Sequence, residues 1–163
     1  MGNQISLTKP VFEWLIEQLV FIEEASGELA GFIYPDLPIE QEKMKVFFQA
    51  YVEKIESVLK KVNIVESIRE YLYIDRLNEF PFIIIGSQVT MTKLSDNSEL
   101  TYVIVFPVDD SNNQQNNELS CISPLGKELL LKEVKSEFDI IIPEGLTRVR
   151  IDCIKLNTVN KLN

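Results

Sequence analysis

Apolar residues recur every three or four positions in two segments of the N-terminal half, a spacing that predicts amphipathic helices with one buried face. The first segment begins at Thr8 and Pro10, residue types suited to an N-cap and a first helical turn, and Pro38 opens the second. The apolar positions are Val11, Phe12, Leu15, Leu19, Ile22 and Ala25, then Phe47, Phe48, Tyr51, Val52, Ile55, Val58, Leu59 and Val62. We expect two helices of roughly 20–25 residues, each about 30–35 Å long.

A segment with two glycines and two prolines, residues 27–43, separates the two predicted helices. A short connection favours antiparallel packing, so the N-terminal half is predicted to be an antiparallel helical hairpin of the coiled-coil kind. Residues 64–80 are expected to hold another short helix and a linker, which Pro81 ends.

The C-terminal half contains short strand-like segments, and the last two have apolar residues that share one side at every second position. The predicted strands are residues 82–86, 88–94, 99–108, 136–145 and 146–156. The residues predicted to share a side are Phe138, Ile140 and Ile142 in one strand and Val149, Ile151 and Cys153 in the next. Asp96-Asn97-Ser98 has the composition of a hairpin turn, and residues 107–119 form a polar segment rich in Asn and Gln.

The segment SPLGKELLLK, residues 123–132, predicts a short helix between these strands. Gly126 would permit a close backbone approach, and Leu129 and Leu130 would pack against the sheet. The predicted fold is therefore α+β, with the helical hairpin followed by a small antiparallel β-sheet domain that carries one short helix. The expected domains are residues 1–75 and 80–158.

Composition limits the chemistry available to the chain. It has no histidine and two cysteines, which excludes Ser-His and Cys-His nucleophile pairs and the usual zinc sites. We expect Cys121 and Cys153 to be free, buried thiols. The net charge of −9 disfavours autonomous binding of DNA or RNA. Without an apolar run of membrane-spanning length or an export signal, no membrane association and a cytoplasmic location are expected.

Charge is unevenly distributed along the predicted hairpin. No Lys or Arg occurs from Pro10 to Gln41, whereas this stretch contains seven acidic residues. Most of these acids are expected to lie on a solvated helix face. Asp36 and Glu40 flank the predicted turn and are candidate functional residues at the tip.

The order of motifs in the C-terminal half resembles the C-terminal, FKBP-like domain of the bacterial Gre transcript-cleavage and elongation factors. The matching segments are Gly86–Thr90, Tyr102–Val105, Ser123–Lys127 followed by Leu129 and Leu130, and the turn Pro143–Gly145. The resemblance covers roughly residues 80–156. A helical hairpin before this domain also agrees with the architecture of that family.

The resemblance implies that RNA polymerase is the partner and that the chain itself is not an enzyme and needs no cofactor. The C-terminal domain would dock at the rim of the polymerase's secondary channel through Ser123, Pro124, Leu125, Gly126 and Lys127. The hairpin would enter the channel as part of a monomeric factor. There the tip acids Asp36 and Glu40 would help hold a Mg²⁺ ion of the polymerase active site, which hydrolyses backtracked RNA.

The tip departs from the usual Gre pattern, Asp-Leu-x-Glu. Asp36 and Leu37 match, but Ile39 occupies the position of the second acid and Glu40 follows one residue later, a rotation of about 100° on a helix. Both arms are also shorter than the family norm by about five residues, and Lys135 stands where the family has glycine. We therefore expect modulation of transcription by occupancy of the channel, with cleavage stimulation as the alternative within the family.

Two readings outside that role remain open. One is an FKBP-like prolyl isomerase or chaperone, which requires an aromatic pocket, and the domain supplies only Tyr102, Phe106 and Phe138. The other is a non-catalytic interaction module, in which Phe32, Ile33 and Tyr34 near the hairpin turn contact another protein.

Overall fold

The computed structural model of the protein describes residues 4–107 and 117–156. The chain forms two compact units, Met1–Leu77 and Asn78–Asn163. Most of the predicted polar segment at 107–119 lies outside the described residues. None of the helices within the described ranges is both long enough and apolar enough to cross a membrane.

The N-terminal unit is built on two packed helices, α1 (Lys9–Ile33) and α2 (Pro38–Leu59), which confirms the predicted hairpin. Thr8 is the N-cap residue of α1, although its side chain makes no capping hydrogen bond, and Pro38 begins α2. The connection is shorter than the segment 27–43 suggested, because α1 continues through both glycines of that segment. A helical glycine costs only about 1 kcal/mol, which packing of the surrounding turn can offset.

The buried faces of the two helices form the core of the hairpin. Its fully or nearly fully buried members are Val11, Leu15, Leu19, Ile22, Ala30, Met44, Phe48, Tyr51, Val52 and Ile55. Gln18 lies on the same buried face of α1, and its side-chain Oε1 accepts no hydrogen bond from the described residues.

Two short strands that the sequence did not predict lie at the base of the hairpin. β1 (Ser6–Thr8) pairs in parallel with β2 (Asn63–Val65), with Leu7 and Val65 fully buried. Strands of three residues are too short to show a period-two pattern, which explains why the sequence did not reveal them. The short helix predicted within residues 64–80 is present as α3 (Ile68–Tyr71).

The C-terminal unit is a five-stranded sheet with one short helix, α4 (Pro124–Leu129). The strands are β3 (Ser87–Lys93), β4 (Glu99–Val105), β5 (Glu118–Ser120), β6 (Glu137–Ile142) and β7 (Gly145–Leu156). Their order across the sheet is β5-β4-β3-β7-β6. The fold class is α+β as predicted, but the sheet is mixed rather than purely antiparallel, because β5 pairs in parallel with β4. Leu129 and Leu130 are buried, as expected.

The apolar run at residues 82–86 is not a regular strand, contrary to the prediction. Phe82 makes one isolated bridge to Glu133, and the backbone of Ile83 exchanges hydrogen bonds with Leu131 and Lys132. Ile83, Ile84 and Ile85 are fully buried. A continuous apolar run shows burial without showing which backbone conformation achieves it.

A β-bulge in β7 makes the predicted alternation of buried residues wrong after Ile151. Thr90 of β3 pairs with Cys153, whereas the next residue, Met91, pairs with Ile151, so Asp152 is the extra residue. Val149 and Ile151 are buried as predicted, but the bulge reverses the alternation after them. Ile154 and Leu156 are then the buried residues, and Cys153 is only half-buried.

Candidate functional site

The segment Ser123–Lys127 is held in shape by hydrogen bonds around Ser123, the N-cap residue of α4. Its hydroxyl donates to the carbonyl oxygen of Ser120 at 2.7 Å and accepts from the backbone N–H of Gly126 at 3.0 Å. The backbone N–H of Lys127 donates to the carbonyl oxygen of Ser123 at 2.8 Å. Side-chain capping of this kind contributes about 1 kcal/mol, so Ser123 has a structural role within the segment.

Gly126 is required by the close approach of the segment to β5. A β-carbon at this position would lie 1.9 Å from the carbonyl oxygen of Ser120, a distance that no side chain can occupy. The expected tight approach is therefore present. Any substitution at Gly126 would displace the backbone on which the rest of the segment depends.

The remaining predicted docking residues differ in exposure. Pro124 and Lys127 are exposed, and Leu125 is half-buried. The structure thus divides the segment into residues that build the turn, Ser123 and Gly126, and residues that present a surface, Pro124 and Lys127 with part of Leu125. Sequence patterns could not make this distinction, because both groups belong to one contiguous motif.

Cys121 lies just before this segment and is a free, buried thiol. Burial raises the pKa of the Cys121 thiol to about 12, although the nearby Lys127 partly opposes the shift. The thiol is therefore protonated at neutral pH and is not a nucleophile. Cys153, also free, donates from Sγ to Oε1 of Glu79 at 3.7 Å.

The hairpin tip is a four-residue connection, 34–37, with its own hydrogen bonds. Tyr34 donates its backbone N–H to the carbonyl oxygen of Ala30 and accepts from the N–H of Leu37 at 3.2 Å. The side-chain amide of Gln41 donates to the carbonyl oxygen of Tyr34 at 2.8 Å. Asp36 occupies the left-handed region, with φ of 62°, and its side chain is exposed.

The second tip acid, Glu40, lies in the first turn of α2 and is only partly exposed. Its Oε1 is 3.7 Å from the ammonium nitrogen of Lys43, an i,i+3 ion pair along α2. Leu37 and Ile39 are more exposed, with 51% and 71% of their surface accessible. No group of three or more His, Cys, Asp or Glu side chains that could hold a metal occurs in the described parts of the chain.

Two of the aromatic residues considered for a prolyl isomerase pocket lie on separate strands. Tyr102 is on β4 and Phe138 is on β6, and two other strands lie between β4 and β6 in the sheet. The ring of Phe138 has the Lys132 ammonium 5.2 Å from its centroid. At the hairpin, Phe32 is exposed, whereas Ile33 and Tyr34 are half-buried.

One pair of charged residues was missed from the sequence. A side-chain hydrogen bond joins Glu23 of α1 to Glu56 of α2, and it raises the pKa of Glu23, with burial and the repulsion of Glu56 and Glu24 adding to the effect. The only available signal was that each helix has an acid near the edge of its apolar stripe. Pairing those edges requires the register of the hairpin, which the sequence does not give.

The fold and the segment Ser123–Lys127 define a two-unit α+β protein that carries a hydrogen-bonded surface turn on its sheet unit. Residues 79–155 match the family described as transcription elongation factor, GreA/GreB, C-terminal. The predicted resemblance to the Gre factors is therefore confirmed, and the C-terminal unit carries the GreA/GreB C-terminal domain.

Relatives include the transcription elongation factor GreA of Wigglesworthia glossinidia brevipalpis, 29% identical over 95% of this chain and 98% of that protein. GreA of Buchnera aphidicola subsp. Baizongia pistaciae is 32% identical over 68% of this chain and 64% of that protein, less than two thirds of its length.

Similar solved structures include the GreA/GreB factor from Nitrosomonas europaea, 18% identical with a TM-score of 0.45 over 94% of this chain and 99% of that one. Gfh1 of Thermus aquaticus is 23% identical with a TM-score of 0.41, over 94% and 99% of the two chains. The family assignment rests on the sequence matches alone.

Proposed function

We propose that the chain binds RNA polymerase through its C-terminal unit and modulates transcription by placing the helical hairpin in the polymerase's secondary channel. The observation that carries this proposal is the match of residues 79–155 to the GreA/GreB C-terminal domain, which spans nearly the whole described C-terminal unit. The chain would act as a cytoplasmic accessory factor. The polymerase supplies both the nucleic acid and the catalytic site, consistent with this chain's net charge of −9.

The docking surface on the C-terminal unit would consist of Pro124, Lys127 and the accessible part of Leu125. An exposed proline and a cation on a rigid turn suit an acidic, partly apolar surface of the polymerase. Ser123 and Gly126 contribute by holding that turn, since their polar groups and close approach are used inside the segment.

Pull-down with core RNA polymerase tests this docking surface. We expect Lys127→Glu to weaken binding about tenfold or more, and Pro124→Ala to weaken it less, because charge reversal adds repulsion to a lost contact. Asp36→Asn is the matched control, since it alters charge on the hairpin and leaves the turn at Ser123–Lys127 intact. Absence of binding by the unmodified chain would refute the proposal, and equal loss in Asp36→Asn would refute the assignment of docking to this segment.

The tip supports occupancy of the channel better than stimulation of RNA cleavage. Two carboxylates completed by water are a donor set that Mg²⁺ accepts, so Asp36 and Glu40 together would help hold a Mg²⁺ ion that supplies Lewis-acid chemistry for RNA hydrolysis by the polymerase. However, Glu40 is turned along α2 toward Lys43, and Ile39 is exposed where the Gre pattern has its second acid. Cleavage chemistry tolerates little misplacement of its groups.

An RNA-cleavage assay on backtracked complexes separates the two modes. We expect no stimulation by the unmodified chain and a gain of stimulation in Ile39→Glu, which restores acids three residues apart. Asp36→Asn in the Ile39→Glu background should abolish the gain. Asparagine is chosen because it tolerates the positive φ of 62°, whereas alanine would add backbone strain. Cleavage by the unmodified chain that is lost in Asp36→Asn and Glu40→Gln would instead establish the tip as competent.

A further inference from the structure

An apolar groove runs along one face of the hairpin, between the exposed edges of α1 and α2. Its volume is about 380 Å³, and Phe12, Ile16 and Val20 line it from α1 while Leu59 lines it from α2. Ile16 and Val20 remain 38% and 47% exposed. Phe12, Ile16, Val20 and Glu23 recur at helical spacing, so they form a stripe about 16 Å long, close to three turns of a helix.

One end of this groove carries the two carboxylates that face each other across the hairpin. Glu23 and Glu56 both line the groove, one from each helix, and Glu56 is the main cause of the raised pKa of Glu23. Lys60 is the one cation among the residues that line it. The α1 side of the groove offers no cation at all, because residues 10–41 contain no Lys or Arg.

These features together indicate the chemistry of a ligand. Two adjoining carboxylates repel each other unless a proton or a cation lies between them. An apolar stripe of three turns buries the apolar face of a helix of similar length.

We propose that this groove is a docking site for a basic amphipathic helix of a partner protein, with an Arg or Lys of that helix placed between Glu23 and Glu56. The apolar face of the partner helix covers Ile16 and Val20, and its cation offsets the repulsion between the two acids. This interaction does not depend on the docking of the C-terminal unit to RNA polymerase, so either proposal can fail without the other.

Fluorescence anisotropy with the full chain tests the proposal. The probe is a labelled synthetic helical peptide of about 15 residues, with leucines on one face and arginines flanking them, at about 0.1 M salt. A second peptide carries glutamate in place of each arginine. We expect saturable binding of the basic peptide and none of the acidic one. The variant Glu23→Gln/Glu56→Gln should weaken binding about tenfold, and Ile16→Ala/Val20→Ala about fivefold or more.

Matched controls separate the groove from general acidity. Glu28→Gln removes an exposed acid elsewhere on α1, and Val46→Ala trims an exposed apolar residue of α2 outside the groove. Both should bind the peptide like the unmodified chain, and far-ultraviolet circular dichroism should show equal helix content in all variants. Equal weakening by Glu28→Gln, or no weakening by either groove variant, would overturn the proposal.

Two further measurements address other occupants. Sedimentation equilibrium that shows a dimer of the unmodified chain but not of Ile16→Ala/Val20→Ala would assign the groove to a second copy instead. Calorimetric titration with Mg²⁺ or Ca²⁺ that shows binding lost in Glu23→Gln would assign the acid pair to a metal. A monomer that binds neither ion but binds the basic peptide supports the proposal.

Discussion

At the residue scale, several residues have a positive φ, and they differ in how well their residue type tolerates that backbone conformation. Asp36 and Asn97 have φ of 62° and 61°, and these residue types tolerate the left-handed region better than most. Around Asn97 the predicted turn is present, since the Asp96 carboxylate accepts from the Ser98 backbone N–H at 2.9 Å and from the Ser98 hydroxyl at 2.7 Å. Lys135, with φ of 73°, is of a residue type that tolerates this region poorly.

We predict that Lys135→Gly stabilises the C-terminal unit by about 0.5–1 kcal/mol. Relief of left-handed strain gains about 1–2 kcal/mol, and the larger entropy of glycine in the unfolded chain removes part of that gain. The backbone cannot relax by itself, because the Lys135 N–H donates to the carbonyl oxygen of Ile151 at 2.7 Å. Urea unfolding measures the change, and Lys135→Ala is the control, since it removes the charge but keeps the strained β-carbon. Equal stabilisation by alanine would show that charge, not strain, is responsible.

At the element scale, the hairpin was predictable because its two apolar stripes are long and each helix has a proline in its first turn. The three-residue strands and the bulge in β7 could not be predicted, because three-residue segments show no periodicity and a bulge depends on the partner strand. The proximity of Glu23 and Glu56 could not be predicted either, because it depends on the register of the two helices. It nevertheless has a measurable consequence for the hairpin as an element.

We predict that the hairpin becomes more stable as the pH is lowered from about 7 toward 5. The hydrogen bond with Glu56 raises the pKa of Glu23 above 4.5, with burial and repulsion from Glu56 and Glu24 in the same direction. The folded state therefore holds more protons than the unfolded state just above pH 4.5, and stability falls as the pH rises through the folded pKa. Lys45 and Lys60 border the two grooves that Glu23 lines.

Thermal unfolding followed by helical circular dichroism at pH 5 and pH 7 measures this effect. Glu23→Gln should reduce the difference between the two pH values and raise the midpoint at pH 7, while Glu28→Gln should leave the difference unchanged. The C-terminal unit is expected to respond oppositely at lower pH. Hydrogen bonds from the side chain and backbone of Ser98 lower the pKa of Asp96. The stabilisation that ionised Asp96 contributes is therefore lost as the pH falls through its lowered pKa.

If the unfolding midpoint of Glu23→Gln still differed between pH 5 and pH 7 as much as that of the unmodified chain, the assignment of the pH effect to Glu23 would be contradicted.

At the scale of the whole molecule, the resemblance to a family could be recognised from the order of motifs in the sequence. The structural roles of the residues within one motif could be read only from the geometry. The motif Ser123–Lys127 could be found in the sequence as one block. Only the hydrogen bonds of Ser123 and the close approach at Gly126 show that half of it builds the turn while the other half is exposed. The exposed residues Pro124 and Lys127 belong to one compact unit, and the tip acids Asp36 and Glu40 belong to the other.

This separation predicts two distinguishable kinds of defect in a transcription assay with purified polymerase. A docking variant, Lys127→Glu, should shift the concentration of factor required for half of the effect by about tenfold while leaving the effect at saturation unchanged, because only the affinity is reduced. Tip variants such as Asp36→Asn should leave the required concentration unchanged and alter the size of the effect at saturation, because the docking surface is intact. Titration of factor against transcript yield separates the two parameters. If Asp36→Asn instead shifted the concentration and Lys127→Glu altered the plateau, the hairpin would be the anchor and the C-terminal unit the effector.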